Sequence, residues 1–187
     1  MSEPDPLHMV DAAGWRAWLT ENHATSTGVR ILRARAGSPL ITVGYDDAVR
    51  QALCFGWIDG TVRPYDDAAV AIRFSPRRAR SGWAATNKAR IRELEASGEM
   101  TDAGRRVIDA ARADGTWEVL DGPEAAIEPP ELRAALDAVP AARAHWDTFP
   151  PSTRKLGLTQ IATAVRPDTR SARIAKIVAA AAEGRRP

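Results

Sequence analysis

Apolar residues recur along the chain with two different periods, and the change of period predicts the elements. Trp15, Trp18 and Leu19 fall at i, i+3 and i+4 behind Asp11, whose short carboxylate suits an N-cap, so a helix is expected to about residue 22. Val29, Ile31 and Ala34 alternate loosely with Arg30, Arg33 and Arg35, the pattern of a half-buried strand over 28–35. A turn at Gly37-Ser38-Pro39 leads to a second helix over 46–55, stopped by Gly56. Two strands, 57–65 and 70–75, flank the acidic turn Asp66-Asp67 and predict an antiparallel hairpin, with Pro64 assigning the first to a sheet edge.

From Gly82 onward the period is helical. One helix is expected over 83–97, N-capped by Ser81 and ended by Gly98, and a second runs from the cap Thr101 to Gly115. Prolines then open short helices over 131–139, 141–149, 152–165 and 168–183. The last carries Ile174, Ile177, Val178 and Ala181 as a core stripe. Residues 1–9 read as a loose arm. The expected fold is α+β and predominantly helical, a small antiparallel sheet of about three strands packed with helices. Its organisation would be an α+β lobe over 10–116, an acidic linker over 117–130 and a helical lobe over 131–184.

Composition narrows the classes. With 187 residues, 44% hydrophobic and 27% charged, the chain is an ordinary globular one, neither disordered nor fibrous. The single cysteine, Cys54, excludes an intrachain disulfide and fits a reducing cytoplasm. One cysteine and three scattered histidines (His8, His23, His145) make no zinc set, so neither metal nor other cofactor is expected. No apolar run approaches the ~18–20 residues of a membrane span, and the acidic opening is unlike a signal peptide. A cytoplasmic protein without membrane insertion is expected.

The net charge of +2 conceals segregation. Arg73, Arg77, Arg78, Arg80, Lys88, Arg90 and Arg92 form a block without an acid, 99–137 is strongly acidic, and 153–187 is basic again. Such blocks either compensate one another within the chain or meet an anionic ligand or nucleic-acid backbone. Arg170, Arg173 and Lys176 read as a solvated ridge of the last helix.

Candidate chemistry concentrates between residues 45 and 87. On a helical wheel Tyr45, Val49, Ala52 and Leu53 make the apolar stripe, and Cys54 falls opposite, with Asp47 and Arg50. A thiol off the core stripe near a cation is a candidate nucleophile, although no histidine base lies nearby. Asp59, beside Gly60, is a candidate base or ligand acceptor, or an ion-pair partner of Arg77 or Arg78. Asn87 interrupts the stripe Trp83, Ile91, Leu94, so its amide either holds a backbone group or faces a ligand.

The runs DDAVRQALCFGWIDG, RFSPRRARSGWAATN and ELEASGEMTDAG closely resemble the YdeI/OmpD-associated family, also called bacteriocin-protection proteins. The family's Tyr-Asp-Glu-Ala opening falls on Tyr45 to Ala48, with Asp47 in place of Glu. Its Ala-Leu-Cys-Phe-Gly-Trp-Ile-Asp-Gly run falls on Ala52 to Gly60. Its Phe-x-Pro-Arg, Ser-x-Trp and Asn fall on Phe74 to Arg77, Ser81 with Trp83, and Asn87. Thr169-Arg170-Ser171-Ala172-Arg173-Ile174 is similar to its Thr-Arg-x-x-Arg-Ile helix, whereas 153–158 lacks the aromatic residues usual there. The resemblance implies a cytoplasmic bacterial protein linked to protection against peptide toxins or envelope stress, and supplies no catalytic residues.

The first reading is therefore a non-enzymatic protein binding a small molecule or peptide in a cleft lined by Trp57, Asp59, Arg77, Ser81, Trp83 and Asn87. The alternatives are an enzyme using Cys54 or Asp59, and a nucleic-acid binder using 73–92. The near-neutral total charge and the lack of a helix-turn-helix pattern weigh against the last.

Overall fold

A computed structural model describes residues 5–186. The chain divides into two compact units, the first running through Ser81 and resuming over Thr86–Ala113, the second comprising Gly82–Ala85 and the chain from Asp114 onward. The fold is α+β, with a three-stranded antiparallel sheet and a helical C-terminal part.

In the first unit, α1 (Ala12–Asn22) is capped by Asp11, whose carboxylate accepts the Gly14 N–H at 2.8 Å. Strand β1 (Val29–Ala34) pairs with β3 (Ala69–Pro76), and β3 pairs with β2 (Trp57–Pro64), giving the order β1-β3-β2. Pro64 thus lies on an edge strand, where its missing N–H leaves no ladder bond unmade. In the hairpin turn Asp66 Oδ1 accepts the N–H groups of Ala68 and Ala69. Helix α2 (Tyr45–Cys54) turns into β2 through Gly56, whose φ of +74° a side chain would strain.

The core of this unit is aromatic. Trp15 stacks on Trp18 at 5.3 Å, tilts against Phe74 and donates its indole N–H to Ala48 O, while Trp18 meets Trp57 edge-on at 5.8 Å. The arm before α1 is not loose at Leu7: its N–H donates to Arg30 O and its carbonyl accepts from Leu32, so it extends the free edge of β1. Residues 1–4 of the expected arm lie outside the described residues.

Helix α3 (Ala85–Ala96) starts two residues later than the pattern suggests, and Ser81 is not its cap. The Ser81 hydroxyl donates to Arg78 O within its own turn. The Ala85 N–H is taken instead by Glu124 at 2.8 Å, both residues belonging to the second unit. Helix α4 (Asp102–Ala113) is capped by Thr101, whose hydroxyl also donates to Cys54 O at 2.5 Å.

In the second unit, residues 114–130 hold a short helix, α5 (Asp121–Glu124). Four longer helices follow: α6 (Pro130–Asp137), α7 (Pro140–Thr148), α8 (Pro151–Ala162) and α9 (Pro167–Ala182), each opened by a proline. Their shared core is built by Leu132, Leu136, Ala142, Trp146, Leu158, Ile161, Ile174, Ile177 and Ala181. The ridge read at Arg170 and Arg173 is not simply solvated. Arg170 donates to Ile161 O and Arg173 to Gln160 O, so both satisfy carbonyls of the last turn of α8, where the helix dipole favours cations.

The acidic stretch is partly neutralised within its own unit. Glu124 pairs with Lys155 at 3.0 Å, and both Glu128 oxygens accept from Arg143 at 3.1 Å. Burial alone would push the Glu128 carboxyl up, but hydrogen bonds from Arg143 and Trp146 and the charges of Arg143 and Arg133 hold it below the ordinary range. Glu124 is depressed in the same way: burial opposes, and Lys155 with the Ala85 N–H prevails. Groups depressed in the folded state stabilise above the unfolded glutamate value of about 4.3, and that contribution disappears as pH falls through the lower folded value. Urea midpoints reported by the α6–α9 helices should therefore drop below about pH 4.3, and Glu128→Gln should flatten the drop.

Candidate functional site

The residues singled out by sequence separate into two groups. Asp59, Arg77, Ser81 and Asn87 are half-buried polar residues of the first unit; Arg77 meets Ser81 by a hydrogen bond and Asp59 by charge, while Asn87 is held by Arg90. Trp57 and Trp83 do not line that site. Trp57 is 1% exposed and spends its indole N–H on His23 O at 3.2 Å, because the face of β2 that carries it is roofed by α1 and Trp18. Trp83 is 2% exposed and belongs to the second unit, where its ring contacts Trp117 at 5.1 Å.

The site is built on Tyr45, the first residue of α2. Its hydroxyl donates to Asp59 Oδ2 at 2.6 Å, and the Arg33 guanidinium lies over its ring, 5.4 Å from the centroid. That hydrogen bond, then burial and the Asp59 charge, push the Tyr45 phenol up, so it remains a neutral donor at physiological pH. Asp59 stands where the β2–β3 register shifts, between Asp59 and Val62, and such irregularities re-aim side chains along a strand.

Arg77 follows β3 and is tied by its backbone N–H to Gly56 O. Loss of hydration pushes its guanidinium down to about 10, against the favourable charge of Asp59, and it stays cationic at neutral pH. Its Nη1 donates to Ser81 Oγ at 3.3 Å. Arg90 of α3 donates to Asp46 Oδ1 at 2.7 and 2.9 Å and to Asn87 Oδ1 at 2.9 Å. Its charge also reaches the Tyr45 phenol. Asn87 therefore holds a side chain, neither of the two partners its position in the stripe suggested.

Tyr45, Asp46 and Arg90 were not among the sequence candidates. The period placed Tyr45 on the apolar stripe, yet it is 38% exposed because it opens the helix beyond the edge of the core. The three-residue step from Asn87 to Arg90 on one helix was the signal that could have linked them.

Cys54 is fully buried, a correction to its place on the wheel. Cys54 ends α2, and the start of α4 lies over that end: Thr101 donates to the Cys54 carbonyl, and Gly104 packs against it. Burial pushes the thiol up, outweighing the hydrogen bond and charge of Arg16, the opposite of nucleophile activation. Nor does the first basic block form one solvated face. Lys88 is 7% exposed, Arg90 is paired with Asp46, and Arg78, Arg80 and Arg92 are the exposed members.

Among the described residues no group of three or more His, Cys, Asp and Glu could hold a metal ion, and no helix is long and apolar enough to cross a membrane. Residues 7–107 match the family model described as a domain of unknown function (DUF8412), and residues 125–184 match the one described as bacteriocin-protection, YdeI or OmpD-associated. The Cys-containing run falls within the first match and the Arg170–Arg173 helix within the second. No curated protein and no solved structure matches the chain.

Proposed function

Because the chain belongs to the DUF8412 family and carries a YdeI/OmpD-associated domain on its C-terminal side, we propose that it is a cytoplasmic binding protein rather than a catalyst. It takes a small polar molecule or short peptide at the Tyr45–Asp59–Arg77 cluster and contributes to protection against peptide antimicrobials. The supporting observation is the Tyr45–Asp59 hydrogen bond of 2.6 Å beside the cationic Arg77. Acceptor and donor are held in place before any ligand arrives, so little ordering cost remains on binding. Asp59 offers its second oxygen to an ammonium or hydroxyl, and Arg77 suits a carboxylate. The buried thiol of Cys54 removes the most reactive side chain from this surface. The description of the second matching family supports the protective role.

A thermal-shift panel of short peptides and peptide antibiotics tests the reading. At least one member should raise the melting temperature of the full chain. Asp59→Asn should weaken it about tenfold or more, the value of one hydrogen bond to a charged group. Cys54→Ser should leave it intact. If no member binds, or if Cys54→Ser alone abolishes the effect, the binding reading is wrong.

A further inference from the structure

The second unit carries an open apolar groove between α6 and α9. It holds about 480 Å³, and its walls include Ala135 and Val139 of α6 and Ile174, Val178 and Ala182 of α9. All five belong to the core of this unit or pack against it, so the groove is an outer side of that core left uncovered. The ion pair of Glu131 with Arg170, at 3.4 Å, marks the end where both helices begin. With Glu131 paired, the lining suits an apolar occupant.

The charges at the two ends of α9 indicate which occupant. Asp168, Ala172, Ala175, Ala179, Ala182 and Arg186 follow one another at steps of four, three, four, three and four, the seam spacing of paired helices. All are exposed except Ala182, which is half-buried. This order matches its own reverse. Two copies of α9 laid antiparallel about a two-fold axis set Ala175 opposite Ala179, Ala172 opposite Ala182, and Asp168 opposite Arg186. The alanine methyls let the helix backbones approach closely, and the two ends meet with opposite charge. Asp168 lies in the first turn of α9, and Arg186 follows the turn at Gly184 (φ +66°) that ends it. Neither makes an ion pair among the described residues. A parallel pairing would instead oppose like charges at both ends, which disfavours it.

We propose that this groove is the interface of a two-fold dimer of the chain. Each α9 lies antiparallel to the other and lays its alanine ridge over the α6–α9 groove of the second copy. Such an interface is isologous, so every contact occurs twice and assembly stops at two chains.

Sedimentation equilibrium of the full chain tests the pairing and should show monomer and dimer with nothing larger. Ala175→Glu should leave only monomer, because it sets two carboxylates inside the interface, and its circular dichroism should match the parent's. Ala179→Arg should give the same loss and decides the matter if Ala175→Glu misfolds. Asp168→Arg and Arg186→Asp should each raise the dimer dissociation constant about tenfold, the effect of two symmetry-related end pairs turned from attraction to repulsion. Combining the two reversals should restore the parent's affinity, which fixes the antiparallel register. Ala110→Glu, at an exposed alanine of α4, should change nothing. A monomer at every concentration, a larger assembly, a dimer that survives both alanine substitutions, or no recovery in the double reversal would overturn the proposal.

Discussion

Trp146→Ala is expected to destabilise the second unit by about 3–5 kcal/mol, the range for removing a large aromatic from a packed core. The indole is fully buried among residues of α6, α8 and α9. Gly157 of α8 shows how closely it fits, since a Cβ there would come within 3.1 Å of the ring. The substitution also removes a polar contact. Indole Nε1 donates to Glu128 Oε1 at 2.8 Å, and the half-buried carboxylate would keep only Arg143. Trp146→Phe retains much of the volume and loses the donor, so it should cost less than half as much. Urea denaturation gives the free energies, and amide exchange in α6–α9 locates the loss. A cost under about 1 kcal/mol for the alanine variant would mean that the indole is not the centre of this core.

The second large effect comes from one substitution, glycine to alanine, made near the start of two helices. Helix propensity favours alanine by about 0.8–1.0 kcal/mol at either position. At Gly14 of α1 the added methyl would meet only Asp11 Oδ1, at 3.5 Å, so Gly14→Ala should stabilise by up to that amount. At Gly104 of α4 the same methyl would overlap the Cys54 carbonyl oxygen and stand 2.6 Å from Met100 Sδ. Backbone cannot step aside as a flexible side chain can. Helix α4 must shift away from the end of α2, straining the Thr101–Cys54 hydrogen bond. Gly104→Ala should therefore destabilise by about 1–3 kcal/mol, a reversal of sign that packing alone explains. The displaced helix should also uncover the thiol, so Cys54 should react faster with an aromatic disulfide reagent in this variant than in the parent. Gains of similar size at both positions would refute the close α2–α4 contact.

Much of the fold was legible because local rules and tertiary contacts agree there. Asp11 caps α1 as its position before Trp15 implies, and the proline openings of α6 to α9 fall where the prolines stand. Pro64 lies on an edge strand, and the stripe Ile174, Ile177, Ala181 faces the second core. The candidate site was legible only in part. Arg77 meets Ser81 by a hydrogen bond and Asp59 by charge, and Asn87 is held by Arg90, whereas Tyr45, which donates to Asp59, was hidden by its apolar ring. Trp57 and Trp83 were drawn toward the site by their place in the motif and are buried instead.

What the sequence determined by itself is whatever depends on neighbours a few residues apart, namely element type, caps, turns, and edge and core periodicity, together with the exclusion of an intrachain disulfide by the single cysteine. What only the tertiary structure decided depends on which distant segment covers a given face. A helical wheel places Cys54 away from the α2 stripe, and that geometry is sound for an isolated helix. The start of α4, some fifty residues later, covers that side, and burial then turns a candidate nucleophile into a core thiol. Arg170 and Arg173 look like a solvated ridge until the end of α8 presents its unpaired carbonyls to them. Arg30 and Arg73, forty-three positions apart, become neighbours only through the register of β1 against β3. Periodicity is a property of one element, whereas burial and charge pairing are properties of two.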